Sequence, residues 1–510
     1  MNYSTYLLCS LLPLTNDQLV LAQSNGNTLG KKLADIFEQV LQTTSQLSQE
    51  FLSRPVDAER TFAFEHQVEQ RLREAARQIV QAVYGAVESA VASLPKHVHF
   101  EASQYTRLQR KTPQNVWTLF GQIRLERVGY RPTDKTGDPT LFPLARALGL
   151  IHGASPALAE RAAGLLSDTG MTQQRVLGQL RQTHGVGWGV KKLRQVTEFL
   201  SVEMTEQRQE VQAARLLELL ERAHTSTGAH KPVLSVGRDG ITLGMRCQGG
   251  SVHEVATCGT VTVLDRRGRR LGTVYLAYVP EFGQGTMTKQ LTLLVKEVLL
   301  RWQGPLPRLS YVTDSGDNET TYYDKVLARM KHPRTGDKLE WLRVADYYHA
   351  SERLWTMAEQ LYGKGSRAAS WARKMQKWLL KPSGTYRVLH SAAALRQQQK
   401  LRGKKLANFN RAYRYVRDRM QYMRYADYRK LGIPLGSGVT EAGCKTVYTQ
   451  RLKLSGMRWQ QAGAQRILNL RVLRISGVWE QAYQRVLRSI KQPQVRGQAA
   501  KVKPKTKKVA

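Results

Sequence analysis

Acidic residues are scarce in this chain. Of 510 residues only 40 are Asp or Glu, against 78 Lys or Arg, for a formal net charge of +38. An excess of that size points to a polyanion as partner. Cysteine is scarce as well: Cys9, Cys247, Cys258 and Cys444 lie far apart with no CxxC pair. That argues against a disulfide framework or a zinc knuckle and fits a reducing cytoplasm. Long apolar runs are missing. None approaches the roughly 20 residues that span a bilayer, so no membrane partner is expected. Residues 6–14 are apolar but short, with no positive segment ahead of them, and read as an extension or docking strand, not a signal peptide. Hydrophobic residues still make up 41% of the chain, enough for sizeable cores, and the length suits roughly three or four domains of about 150 residues each.

Residues 1–29 carry few periodic signals and are expected to be poorly ordered. Residues 30–96 read as a helical hairpin broken at Pro55. Leu33, Ile36, Phe37, Val40 and Leu41 form one apolar stripe; Val68, Leu72, Ala75, Ile79 and Val83 form another. Plain core packing of the two stripes is the expectation, with a dimerising pair as the alternative. Residues 97–135 read as a small β module, because 115–131 alternate apolar and polar residues around Gly121 as a short hairpin or a bulged strand does. Basic residues surround it, so it stands as a DNA-contacting module or a solvated sheet face. Residues 136–225 return to helix. Ser155 caps a first segment ending near Ser167, a Thr169-Gly170-Met171 turn follows, and a second segment runs over 172–184. This is the layout of a helix-turn-helix, whose second helix offers Gln174, Arg175 and Arg181 to base edges; an ordinary helical bundle shares the layout. A long charged connector helix comes next.

Residues 231–360 read as α/β. A strand at 233–236 is expected to end at Arg238-Asp239-Gly240, with 241–246 continuing or returning. Strands at 254–264 and 273–279 follow, joined by a tight turn at 265–268. Then come a helix (286–302), a strand (309–313) ending at Asp314, a helix (320–330) and a strand (341–345) ending at Asp346. Three antiparallel strands followed by helix–strand–helix–strand is the order of a ribonuclease H-like fold. Residues 361–430 read as an all-helical insertion with 19 Lys or Arg against two acids, Asp418 and Asp427. Its last part interleaves Arg411, Arg414, Arg417 and Arg424 with tyrosines, a mixture in which Arg binds phosphate while Tyr stacks on bases; the bland reading is an amphipathic helix. Residues 431–480 complete the core. Pro434, Gly436, Ser437 and Gly438 make a turn, Ser437 is the expected N-cap, and Glu441 falls in the first turn of the helix, near its positive end. Residues 481–510 have no acidic residue and read as a disordered basic tail.

In such a fold Asp239 and Asp314 would be neighbours, with Glu441 completing a set of three carboxylates. Three carboxylates converging in a basic protein suit two Mg²⁺ ions about 4 Å apart, since Mg²⁺ takes oxygen ligands and keeps sites open for water and phosphate; Mn²⁺ is the natural substitute. Asp317 and Glu319, just beyond Asp314, read as helix-capping acids, with metal ligation as the lesser alternative.

The motifs Gly237-Arg238-Asp239-Gly240, Thr313-Asp314-Ser315-Gly316 and Gly436-Ser437-Gly438-Val439-Thr440-Glu441, followed by Lys445 and RLKLSGMRW at 451–459, resemble bacterial insertion-sequence DDE transposases of the Kra type, relatives of the Mutator-like group. Asp346-Tyr347-Tyr348-His349 resembles that group's Asp/Cys-x-x-His motif. The resemblance spans about 100–480. It implies a DNA transposase that binds terminal inverted repeats and performs metal-dependent cleavage and strand transfer on double-stranded DNA. It implies Asp239, Asp314 and Glu441 as the metal-binding triad and His349 as an active-site helper supported by Asp346. Lys445, Arg451 and Arg458 are expected on the DNA backbone, the protein as a homodimer or larger assembly, and its location as the bacterial cytoplasm, on the nucleoid. The rivals are a structure-selective nuclease on the same fold and a DNA-binding protein that has lost its chemistry.

Overall fold

The computed structural model describes residues 16–88, 93–134, 137–247 and 250–495. The chain divides into two compact units. The first holds the N-terminal 166 residues with 172–200 and the segment from Val486 onward; the second holds 167–171 and 201–485.

In the first unit, α1 (Asn16–Leu52) and α2 (Ala58–Ala86) form the expected hairpin. Pro55 lies in the break between them, and the Asp57 side chain caps α2 by accepting the Arg60 N–H at 2.8 Å. Two expectations fail here. Residues 16–29, read as poorly ordered, are helical, because propagation adds one hydrogen bond per residue once a helix exists; residues 1–15 lie outside the described set. The apolar stripes do not make a core either: of the ten residues named in them, only Ala75 is buried.

The β module is two sheets. Strands β1 (His97–Phe100), β2 (Ser103–Arg107) and β5 (Tyr130–Pro132) belong to one, while β3 (Thr112–Thr118) and β4 (Gly121–Arg127) form a separate hairpin. Val116, Ile123 and Leu125 of that hairpin pack with Val80 and Tyr84 of α2. A short helix α3 (Pro143–Ala147) leads to α4 (Pro156–Ser167) and α5 (Gln173–His184). Ser155 and Thr172 cap them by accepting the Leu158 and Arg175 N–H groups, and Gly185 ends α5 in the left-handed conformation, φ 62°. The connector is α6 (Val190–Thr225).

The second unit is built on a five-stranded sheet of β6 (Val233–Cys247), β7 (Gly250–Leu264), β8 (Arg270–Tyr278), β9 (Arg308–Thr313) and β10 (Trp341–Ala345), in the order β10-β9-β6-β7-β8. The first three are antiparallel in chain order; β9 runs parallel to β6, and β10 parallel to β9. Helices α7 (Gly285–Arg301) and α8 (Asp317–Lys325) supply the two crossovers. Leu234, Val236, Val261 and Val263 point to one face, against α6 and α7, while Val233, Val312 and Val344 point to the other. That second face receives α9 (Tyr347–Tyr362), α10 (Ser366–Leu379), α11 (Gly384–Gln398), α12 (Gly403–Asp418) and α13 (Tyr425–Lys430). Of the two alternatives for 241–246, the continuing one holds: β6 does not stop at Asp239 but pairs with β7 without a break from Val233 to Cys247.

After the insertion come α14 (Gly438–Cys444), a π-helical turn at Lys445–Thr449, α15 (Gln450–Leu452) and α16 (Gln461–Ile475). Helix α16 covers the edge strand β8: Gln465 accepts the Val279 N–H and donates to the Ala277 carbonyl, which removes pairing groups from an open sheet edge. The stretch from 481, expected as a tail, is ordered as far as 495. It forms α17 (Trp479–Ser489), whose Ala482, Tyr483 and Val486 are buried, and β11 (Gln494–Val495), which pairs with β1. Its lack of acids concealed an apolar i, i+4 pattern. Residues 496–510 lie outside the described set. No helix among the described residues is long and apolar enough to cross a membrane.

Helix α14 lies so close on the sheet that Gly237 admits no side chain: a Cβ there would stand 2.0 Å from Thr440 Oγ1 and 2.7 Å from Thr260 Oγ1. Gly237→Ala is therefore expected to lower stability by about 1–3 kcal/mol, measured as an earlier midpoint of urea unfolding. Adding Thr440→Ala removes the clashing oxygen and should restore part of the loss.

Candidate active site

Strand register assembles the site. Val236 of β6 lies opposite Tyr311 of β9; counting on along both strands brings Asp239 level with Asp314. Ala345 of β10 pairs with Thr313, and the next residue, Asp346, donates its N–H to the Thr313 carbonyl at 2.9 Å. Three adjacent strands thus present one aspartate each at the same level.

Asp239 accepts the Gly240 N–H at 2.7 Å and the Cys444 thiol at 3.4 Å. Burial pushes its carboxyl above the ordinary value, and the charges of Asp314 and Glu441 add to the rise against the pull of those two hydrogen bonds. Asp314 accepts the Gly316 N–H at 3.1 Å across a turn in which Ser315 is left-handed, φ 64°. Two side chains of the insertion brace this turn: Tyr415 Oη donates to the Asp314 carbonyl at 2.9 Å and Arg419 to the Ser315 carbonyl at 2.9 Å. Glu319, in the first turn of α8, is buried; desolvation raises its carboxyl, and Asp314 and Asp239 reinforce the rise. The sequence offers it as a capping acid first and a metal ligand second, and it lies within the field of both aspartates.

Asp346 has no exposure to solvent. One carboxylate oxygen caps α9 by accepting the Tyr348 and His349 N–H groups at 2.5 and 2.9 Å. The other accepts the Ser437 N–H and the Ser437 hydroxyl, the latter at 2.7 Å. Ser437 does stand at the start of α14, but its side chain makes no cap. Its oxygen also lies 2.6 Å from Glu441 Oε1, so one hydroxyl proton serves two carboxylates. Glu441 is half exposed and has His349 Nε2 at 3.4 Å, while His349 Nδ1 faces Glu352 at 3.2 Å. Burial disfavours a charged imidazole, but Asp346, Glu352 and Glu441 together outweigh it and raise the His349 pKa.

Among the described residues no three His, Cys, Asp or Glu side chains are gathered closely enough to hold a metal ion. Asp239 and Asp314 feel each other's charge, whereas Glu441 is engaged by Ser437 and His349. The donor set nonetheless suits a hard divalent cation. It is all oxygen, and no Lys or Arg among the described residues forms an ion pair with Asp239 or Asp314.

Of the expected DNA contacts, Lys445, Arg458, Arg411, Arg414, Arg417 and Arg424 are exposed, as are Gln174, Arg175 and Arg181 on α5. Arg417 and Arg424 pair with Asp418 and Asp427. Arg451 is a correction. It is 1% exposed, stacks over Trp459, and is lowered by burial to a pKa of about 10; it supports the fold and cannot reach a phosphate. The tyrosines of the insertion are a second correction, since Tyr425 and Tyr428 are buried and Tyr413, Tyr415 and Tyr422 pack on the same core. They are not free to stack on bases. Asp346, expected as a support for His349, accepts that residue's N–H and three further hydrogen bonds, which leave no lone pair aimed at a substrate; it is a positioning residue. No known family profile matches the chain, and no curated protein matches its sequence.

Asp346→Asn changes little in size but turns an NH₂ toward at least one of the N–H or O–H groups that the carboxylate accepts. It is expected to lose about 1–3 kcal/mol, read as a lower midpoint in chemical unfolding. Asp239→Asn should behave oppositely in metal-free buffer. Because the folded pKa of Asp239 is raised, its contribution to stability is present at low pH and lost as pH rises through that pKa. The variant should match or exceed wild type in Tm near neutral pH, and any rise in Tm on adding Mg²⁺ to wild type should be lost in the variant.

Proposed function

We propose that the protein is a DNA transposase of a bacterial insertion sequence, with a ribonuclease H-like core that cuts and rejoins double-stranded DNA in the bacterial cytoplasm, on the nucleoid. The observation that carries this reading is the register bringing Asp239 and Asp314 level on adjacent strands, with Glu441 on a helix packed beside them by the Thr260–Thr440 contact of 2.8 Å. The sheet order and the two crossover helices support the fold assignment, and the +38 charge supports the substrate.

Asp239, Asp314 and Glu441 would hold Mg²⁺, with Mn²⁺ as a substitute. The chemistry such an ion supplies when bound is activation of a water or a 3′-hydroxyl and neutralisation of the leaving 3′-oxygen. The chain's own residues do the rest. Ser437 and His349 keep Glu441 oriented, and binding of a cation by its carboxylate would release it from both. His349 stands beside the triad with a pKa that Asp346, Glu352 and Glu441 raise against burial, and its ring N–H can donate to a phosphate oxygen. Lys445 and Arg458, on the segment after α14, and Arg411, Arg414, Arg417 and Arg424, on the insertion, hold the backbone on either side. Gln174, Arg175 and Arg181 on α5 face the base edges of a terminal inverted repeat.

The test is Mg²⁺-dependent cleavage and strand transfer on duplexes carrying the element's ends, comparing wild type with Glu441→Gln. Wild type is expected to cut and join, while the variant binds equally well and loses on the order of a hundredfold or more in rate, ~2.7 kcal/mol in the barrier. Cutting without joining would identify a structure-selective nuclease on the same fold. Binding without reaction in either protein would leave a DNA-binding protein without chemistry.

A further inference from the structure

The N-terminal hairpin carries apolar surface that its own chain does not cover. At 100° per residue, α1 has two apolar sides. Leu29 and Leu47, 8% and 4% exposed, lie on the side turned to α2, and Ile36 and Val40 line the groove between the helices. Phe37, Leu41 and Leu52 lie on a different side and are 60%, 73% and 75% exposed. On α2, Phe62 and Leu72 are 64% and 52% exposed. Among the described residues, seven of the 18 exposed large hydrophobic residues fall between Phe37 and Val87, a concentration that scattered surface apolar residues do not produce.

Charge narrows the choice of occupant. Residues 29–88 contain nine Asp or Glu and seven Lys or Arg, inside a chain of +38. This is the part of the protein least suited to a polyanion, whether nucleic acid or an anionic lipid surface. The spacing favours a helix as partner. Ala34, Phe37, Leu41, Thr44 and Ser48 recur at alternating steps of three and four, with small residues flanking two large ones, as knobs and holes require. Five or six half-exposed side chains at roughly 100 Å² each offer about 600 Å² per copy, which a polar rim brings near the ~800 Å² per partner of a stable interface. We propose that the α1–α2 hairpin is a self-association surface that docks on the same hairpin of a second copy, with Phe37 and Leu41 at its centre. A two-fold pairing buries both stripes at once and needs no other partner. The inference rests on the hairpin alone and does not depend on the transposase reading.

Sedimentation velocity of the full chain, without DNA and after nuclease treatment in high salt, tests it over a wide concentration range. Wild type is expected to sediment as a dimer, and Phe37→Glu combined with Leu41→Glu to raise the dissociation constant at least a hundredfold. Both positions are exposed, so helix content by circular dichroism should not change, and Gln42→Glu beside them should leave the dimer intact. A wild-type monomer at every concentration, a dimer lost on nuclease treatment, or a dimer that survives the double substitution would each overturn the proposal. DNA binding and cleavage, assayed separately, report on the other reading.

Discussion

A fully buried carboxylate in a chain of +38 holds the centre of the second unit together, and among the described residues no Lys or Arg side chain bonds to it. Asp346 ends β10, caps α9 and fixes the residue at which α14 begins, through four donated hydrogen bonds. Removing an ionised carboxylate from water is costly unless its lone pairs are all met. Here backbone N–H groups and one hydroxyl meet them, helped by the positive end of the α9 dipole. The arrangement also accounts for the composition of the turn before α14. A side chain at Gly436 would press on Tyr348 and stand 3.3 Å from Asp346 Oδ2, so only glycine lets the chain approach. Ser437 then reaches Asp346 with its N–H and its hydroxyl, and the position of Glu441 one turn later follows from that anchor.

The insertion is tied to the sheet by phenol hydroxyls. Tyr425 and Tyr428 donate to the Ala345 and Arg343 carbonyls of β10, and Tyr415 to Asp314 itself, each at 2.9 Å. Burial pushes Tyr415 and Tyr428 up to about 12 and raises Tyr425 well above its ordinary value, so all three stay neutral donors at any physiological pH. Between them Arg343, almost wholly buried, lies over the rings of Tyr323 and Tyr422 and donates to Thr320. The helices that present Arg411, Arg414 and Arg417 outward therefore use their other face to brace the turn carrying Asp314. A single amphipathic element thus braces the Asp314 turn with one face and exposes guanidinium groups on the other.

This double use marks what was readable from residues alone. Strand ends at Thr313-Asp314 and Ala345-Asp346 were legible because a β-rich run stops at an acid and a turn former, and the hairpin of β3 and β4 was legible from its alternation. The run through Asp239 was not, because Gly237 and Gly240 look like strand breakers; they are small to admit Thr440 and Val255, a tertiary reason that local pattern cannot hold. Arg–Tyr alternation established an amphipathic helix but not which side met protein, since both residue types suit either surface. Arg451 was misjudged for the same reason: charge predicts exposure only where no aromatic ring or carbonyl waits in the interior. The stripes of α1 and α2 are the inverse case, with a periodicity that was real and a core that the chain does not supply.

The buried arginines explain how carboxylates stay unpaired amid so much positive charge. Arg238 adjoins Asp239 in sequence, yet strand alternation turns its side chain to the opposite face of the sheet. There Gln284 and Thr288 accept its hydrogen bonds and Tyr322 receives its guanidinium. Arg471 is bound by the Thr446 and Ser167 carbonyls. Neutral oxygens and aromatic faces thus engage the nearest cations, and Asp239 keeps a raised pKa with no guanidinium to relieve it. A site built to be neutralised by its own arginines would be stable and closed to further cations. Here burial and the charge of Asp314 leave Asp239 short of positive charge, a condition that favours a divalent cation if the proposed reading holds.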